Sequence, residues 1–329
     1  MPYNTLTMAI IQSVRPLKVE DTWLPAIRHL KYGDYPSGGF SQRAKFKPYE
    51  QQGLVTFSIV PGNHVFALDD IAPFIIHRHA TLQLLELKCD LNTINTSEMA
   101  DAMKNNLQIE FTRLEKIVAF TISHVTNMLS YSTFLTWIVQ RAPYLQEITL
   151  YGYTISKNIL KAMAKCEHLR TVSLDTGTNQ LPDNHDTLVA EFVRDHVNHM
   201  ADKVAPMLID AFRGLKSLTT FHLFTNDLAP EPFDRLFESL HQGSHHLEAL
   251  HIGSSGTMTN RVLYQISRNQ NLRRLTISGN MSDAQGGMLS LQACRHLNHL
   301  TSYWPIDEDI QSILKESTPC IISAPSGLG

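Results

Sequence analysis

One pattern governs what this 329-residue chain can fold into: a leucine, two variable residues, an apolar residue, one variable residue and a second apolar residue. It recurs as LVTFSI from Leu54, LQLLEL from Leu82, LEKIVA from Leu114, LQEITL from Leu145 and LRTVSL from Leu169. Further copies are LTTFHL from Leu218, LEALHI from Leu247, LRRLTI from Leu272 and LNHLTS from Leu297. The third and ninth are degenerate, with Ala119 and Ser302 in the last apolar slot. Chance alone would supply about three such matches in a chain of this length, but not their order. Successive starts lie 28, 32, 31, 24, 49, 29, 25 and 25 residues apart. Asn226 and Asn280 stand at one equivalent position after the Leu218 and Leu272 copies, where a buried amide is expected to bond neighbouring backbone.

Between the copies lie amphipathic helix candidates such as ALDDIAPFIIHRH, YSTFLTWIVQRA, ISKNILKAMAKC and TNRVLYQISRN. Their apolar residues fall three or four apart, as in Ile155, Ile159, Leu160 and Met163, so each lays one stripe against a sheet. Pro230 and Pro232 open the stripe Phe233, Leu236, Phe237, Leu240, and Ser282 is expected to cap a helix opening at Asp283. A short strand and a helix alternating in nearly every unit predict an α/β solenoid, with a curved parallel sheet on the concave face and helices on the convex face.

Three regions depart from the period. In residues 1–53, VRPLKV around Leu17 reads as a degenerate strand, then a helix is expected from Asp21 to Leu30, then an exposed loop over 33–53 rich in Gly and Pro. The repeats occupy 54–317, and the double-length gap holds an inserted helix at about 186–204, separated from APMLIDAFRG by Pro206. The tail over 318–329 has no strand signal and is expected to fray.

With 28 Lys+Arg against 31 Asp+Glu, the net charge of −3 gives no footprint for nucleic acid or an anionic membrane. Four cysteines, no two closer than 26 residues, suggest neither a disulfide scaffold nor a zinc knuckle. A reducing compartment, cytoplasmic or nuclear, is the expectation, and no apolar run approaches membrane-spanning length.

Catalytic signals are thin. The 16 histidines cluster at His77 and His79, His196 and His199, and His241, His245 and His246, but no HExxH or familiar metal-ligand spacing occurs. Phosphate-cradling glycine loops and a GxSxG elbow are missing from the sequence, and the DTG from Asp175 has no second copy to complete a carboxylate pair. No cofactor, metal or enzymatic activity is therefore expected.

The candidate site is the concave face, because strand side chains alternate with period two. Its fifth-slot row includes Glu86, Thr149, His222 and His251, and its seventh-slot row Lys88, Phe120, Tyr151, Asp175 and Phe224. Phe120 should neighbour Tyr151, and His222 should neighbour His251. Exposed aromatics on a sheet bring large rigid area at low entropy cost, so these nine residues are the expected contact surface for a protein partner.

On these motifs the chain resembles the leucine-rich repeat superfamily of ribonuclease-inhibitor-like architecture, and within it the irregular, cysteine-poor repeats of F-box leucine-rich repeat proteins. The resemblance runs from Leu54 to Ser302. It implies a solenoid of roughly eight to ten repeats that holds a substrate for an SCF-type ubiquitin ligase, with a Skp-type adaptor and a cullin as further partners. Residues 1–53 contain no LPxEIL-like opening helix, so the F-box is expected to be missing, diverged or lost by truncation. The alternatives are a GTPase-activator-like or inhibitor-like leucine-rich repeat regulator, whose repeats are more uniform, or a free scaffold.

Overall fold

The structure, a computed structural model, describes residues 8–11, 28–32, 53–59, 66–88, 91–92, 96–121, 128–152, 155–175, 206–225, 230–282 and 284–323. It divides into two compact units, Met1–Ala162 and Met163–Gly329.

The first unit runs β1 (Met8–Ile11), β2 (His29–Tyr32), β3 (Thr56–Ile59), β4 (Phe66–Ala67), α1 (Leu68–Ile76), β5 (Leu84–Lys88) and β6 (Leu91–Asn92). It continues through α2 (Thr96–Asn105), β7 (Lys116–Thr121), α3 (Met128–Val139) and β8 (Glu147–Gly152). Its main sheet is parallel in the order β1, β2, β3, β5, β7, β8, and β4 pairs with β6 separately. Helix α4 (Lys157–Met163) carries the division between the units.

The second unit runs β9 (Thr171–Asp175), a helix over 206–212 (α5), β10 (Thr220–Thr225), α6 (Pro230–Gly243), β11 (Ala249–Thr257), α7 (Asn260–Ser267) and β12 (Arg274–Asn280). Then follow α8 (Gln285–Met288), a 3-10 turn (Leu289–Ala293), β13 (His299–Ser302), α9 (Glu308–Ser317) and β14 (Ile321–Ser323). Strands β9 to β14 pair in sequence order, all parallel.

The nine sequence copies map onto strands with one offset: β3, β5, β7, β8, β9, β10, β11, β12 and β13 each begin two residues after the copy's first leucine. That leucine is buried in every copy, from Leu54 to Leu297. So are the fourth and sixth slots, for example Phe57 and Ile59, Ile148 and Leu150, and Phe221 and Leu223. Two or three buried apolar side chains per repeat, the larger ones each stabilising by about 1.5–3 kcal/mol when fully buried, are what hold each strand to the helix-covered side. Slots pair with like slots across the sheets, as in Thr56 with Leu84 and Thr220 with Ala249.

A backbone ladder locks this register. The carbonyl of the second slot accepts two N–H groups of the next repeat: Gln83 O from Glu115 and Lys116, Arg170 O from Thr219 and Thr220, Glu248 O from Arg273 and Arg274. Upstream, a tight turn returns the N–H of the first leucine to the carbonyl three residues back, at Phe111, Ala142, Cys166, Leu215, Ser244, Asn269 and Cys294. All seven of those residues are buried. Where they are polar they bond backbone carbonyls: Ser244 Oγ donates to Leu215 O in the turn of the preceding repeat at 3.3 Å, and Asn269 Nδ2 to Ile266 O in its own turn at 3.1 Å.

Several expectations need correction. His29–Tyr32 is a strand, so the helix expected from Asp21 does not run to Leu30, and Met8–Ile11 is a further strand. The expected frayed tail instead contributes Ile321–Ser323 to the sheet beside β13. Helix α8 opens at Gln285 rather than Asp283, with Ala284 and not Ser282 in the capping position. Asn280 keeps a backbone bond, its Oδ1 accepting from Ser282 N at 2.9 Å, but it is only partly buried. The VRPLKV segment, most of the 33–53 loop, the inserted helix at 186–204 and Asn226 lie outside the described residues.

Candidate functional site: the open sheet face

Alternation buries slots four and six beneath the helices and turns slots three, five and seven to the other face of each sheet. In the first unit this face is a set of lateral polar pairs between register partners. His29 Nδ1 meets Thr56 Oγ1 at 3.0 Å, Ser58 Oγ donates to Glu86 Oε2 at 2.5 Å, and Lys116 Nζ sits 2.7 Å from Glu147 Oε2. Of the expected contact residues, Glu86, Thr149 and Tyr151 are partly exposed here. Lys88 is the register partner of Phe120, and Phe120 of Tyr151, as expected, although the side chains of Lys88 and Phe120 lie outside the description.

In the second unit the face is different. Asp175 is the register partner of Phe224, and His222 stands between Ser173 and His251. The His222 and His251 rings lie 5.5 Å apart between centroids, and the Phe224 and His251 rings lie 4.6 Å apart in a T-shaped contact. Asp175, His222, Phe224 and His251 are all partly exposed, so four of the nine expected residues form one surface. Burial pushes the His222 imidazole below its usual range, and the nearby Arg274 guanidinium adds to this. Burial, with His222 beside it, pushes His251 down to about 4. Both rings are therefore neutral at pH 7 and present an amphipathic, aromatic patch.

Two contributors escaped the sequence reading. Gly253 is the register partner of Phe224, and a Cβ there would overlap the Phe224 ring and come within 3.0 Å of Ser278 Oγ. The missing side chain is what lets Phe224 lean over β11 to reach His251. Its only signal was a glycine standing alone in the seventh-slot row. Arg274 stands in the third slot of β12, outside the fifth-slot and seventh-slot rows of the expected surface.

Among the described residues no group of three or more His, Cys, Asp or Glu side chains is placed to hold a metal ion, and no helix is long and apolar enough to cross a membrane. No family model matches the chain, and no curated protein matches it.

Proposed function

We propose that this chain is a non-catalytic protein-binding module of the leucine-rich repeat type, with the open face of its second unit as the principal contact. The observation that carries this reading is the cluster of partly exposed His222, Phe224 and His251 side by side on one sheet face of the second unit. An aromatic and two neutral imidazoles, held on adjacent strands by continuous backbone pairing, offer a rigid, weakly hydrated surface that loses little entropy on binding. Nothing in that cluster supplies a nucleophile paired to a base, which favours recognition over chemistry. Three free buried cysteines, Cys166, Cys294 and Cys320, fit a reducing compartment such as cytoplasm or nucleus.

The resemblance to F-box leucine-rich repeat proteins favours one narrower role, in which the bound protein is a substrate presented to a cullin-based ubiquitin ligase through a Skp-type adaptor. The test is capture of the tagged chain from its own cell extract with quantitative mass spectrometry. Retention of adaptor and cullin together, lost on deleting residues 1–53, supports the ligase role. Retention of another protein alone leaves a scaffold or a regulator of the inhibitor or GTPase-activator kind, the last read by GTP hydrolysis. A chain that retains nothing would overturn the protein-binding reading.

A further inference from the structure

Resting on the protein-binding reading above, we propose that the edge of the second unit at which its strands begin docks an extended, acidic segment of the partner. In a parallel sheet every chain segment returning from a helix reaches this same edge. Here the returning turns are tied side by side. Ser217 Oγ donates to Glu167 O at 2.7 Å, and Asn271 Nδ2 donates to His245 O at 2.7 Å. The backbone ladder continues the row, Arg170 O accepting from Thr219 and Thr220, and Arg273 O from Asn298 and His299.

Along this row Arg170, Lys216, Arg273, Arg274 and Arg295 are exposed. Among the described residues none of the five is closed into an ion pair. Strands about 4.8 Å apart bring successive turns close enough for such charges to add within one screening length. Exposed imidazoles of His168, His246 and His296 take the position just before the leucine in three of these turns.

Among the described residues the equivalent edge of the first unit is less positive. Arg28, Arg113 and Arg141 stand against Glu110 and Glu115 there, and Lys116 is engaged by Glu147 at 2.7 Å. Five exposed basic groups against Glu167 and Glu248 make the row of the second unit the more positive of the two. With 28 basic against 31 acidic residues, the whole chain has no positive field of its own, so the attraction is local.

An extended peptide places alternate side chains about 6.6–6.8 Å apart, and guanidinium groups take carboxylates in paired hydrogen bonds. That is the ligand this row fits. Glu167 and Glu248 stand exposed within it. They would repel the continuous phosphates of a nucleic acid, which needs an unbroken positive groove, while a peptide can set its carboxylates between them.

The test is fluorescence anisotropy with the full chain and a labelled alternating Glu-Ser peptide, alongside a Lys-Ser peptide and a short single-stranded oligonucleotide. The variant combines Arg273→Glu, Arg274→Glu and Arg295→Glu, and Arg113→Glu in the first unit is the control. The Glu-Ser peptide should bind in a salt-sensitive way, weaken by about tenfold or more in the triple variant, and be unaffected by the control change. Should the triple variant unfold, the three single changes should each weaken binding by about threefold. Absence of Glu-Ser binding, equal loss in the control, or tighter binding of the oligonucleotide would overturn the proposal. If Glu-Ser binding behaves as expected while the extract yields no retained protein, the open-face reading falls and the acidic-segment site stands.

Discussion

His222 and His251 hold the same register position on neighbouring strands, their ring centroids 5.5 Å apart, in surroundings that keep both imidazoles neutral. In the unfolded chain a histidine takes up its proton near pH 6.5, whereas folded His251 does so only at about 4. The unfolded state therefore binds more protons across that window. The associated stability is complete above about pH 6.5 and is lost as pH falls towards 4. Discounted for solvent screening at this half-exposed site, His251 should account for about 1 kcal/mol of the loss. Urea unfolding at pH 7 and pH 4.5 should show that His251→Asn removes that share of the pH dependence, and an unchanged slope would refute the assignment.

Gly253→Ala should displace the Phe224 ring while costing little stability, about 1 kcal/mol, because the ring can rotate away from the new methyl group. Gly243→Ala meets the carbonyl of Phe212 instead, and backbone cannot rotate aside. It should cost towards the upper end of the ~1–3 kcal/mol typical of overpacking. Comparing the two by urea unfolding, with aromatic NMR shifts reporting the Phe224 contact, separates a glycine facing a movable ring from one facing fixed backbone.

The register makes a sharper demand on adjacent positions. Phe221→Ala, in a fully buried fourth slot, should destabilise by roughly 3–5 kcal/mol. Thr276→Ala, on the open face beside His251, should change stability by less than about 0.5 kcal/mol. Comparable losses at both sites would mean that the open face is buried.

How much of this was legible depends on what each slot does physically. The first leucine and the two alternating apolar slots must all be buried, so they repeat and can be read, and the nine strands they mark start where the pattern places them. Three missed strands, β1, β2 and β14, follow the same frame with altered residues, while β4 and β6 pair apart from it. LTMAII from Leu6 has only Ala9 in its fourth slot, IRHLKY from Ile27 opens on isoleucine, and PCIISA from Pro319 opens on proline. The three-residue spacing of Leu24, Ile27 and Leu30 also imitates a helix stripe. The buried turn position three residues before the leucine went unread, since Phe111, Ala142, Cys166, Ser244 and Asn269 share no side-chain chemistry. On the open face, the neighbours His222 and His251 followed from register alone, but the lean of Phe224 over Gly253 depends on a contact that no periodicity encodes.

Two of those turn positions carry thiols. Burial pushes Cys166 up to about 11 and Cys294 up to about 12, so almost no thiolate exists at pH 8. Both should resist iodoacetamide in the native protein and react promptly in urea, as read by peptide mass spectrometry. Rapid native labelling at either position would contradict its place in the core.

The central claim, that the open face of the second unit receives a protein partner, is tested most directly by the affinity of the recovered partner for face variants. Phe224→Ala and His251→Ala together should weaken that binding by about tenfold or more, as the loss of a central aromatic cluster does. Glu308→Ala, at the exposed start of α9, should leave it unchanged. Undiminished affinity in the double variant, with its fold intact by circular dichroism, would place the partner elsewhere and contradict the account.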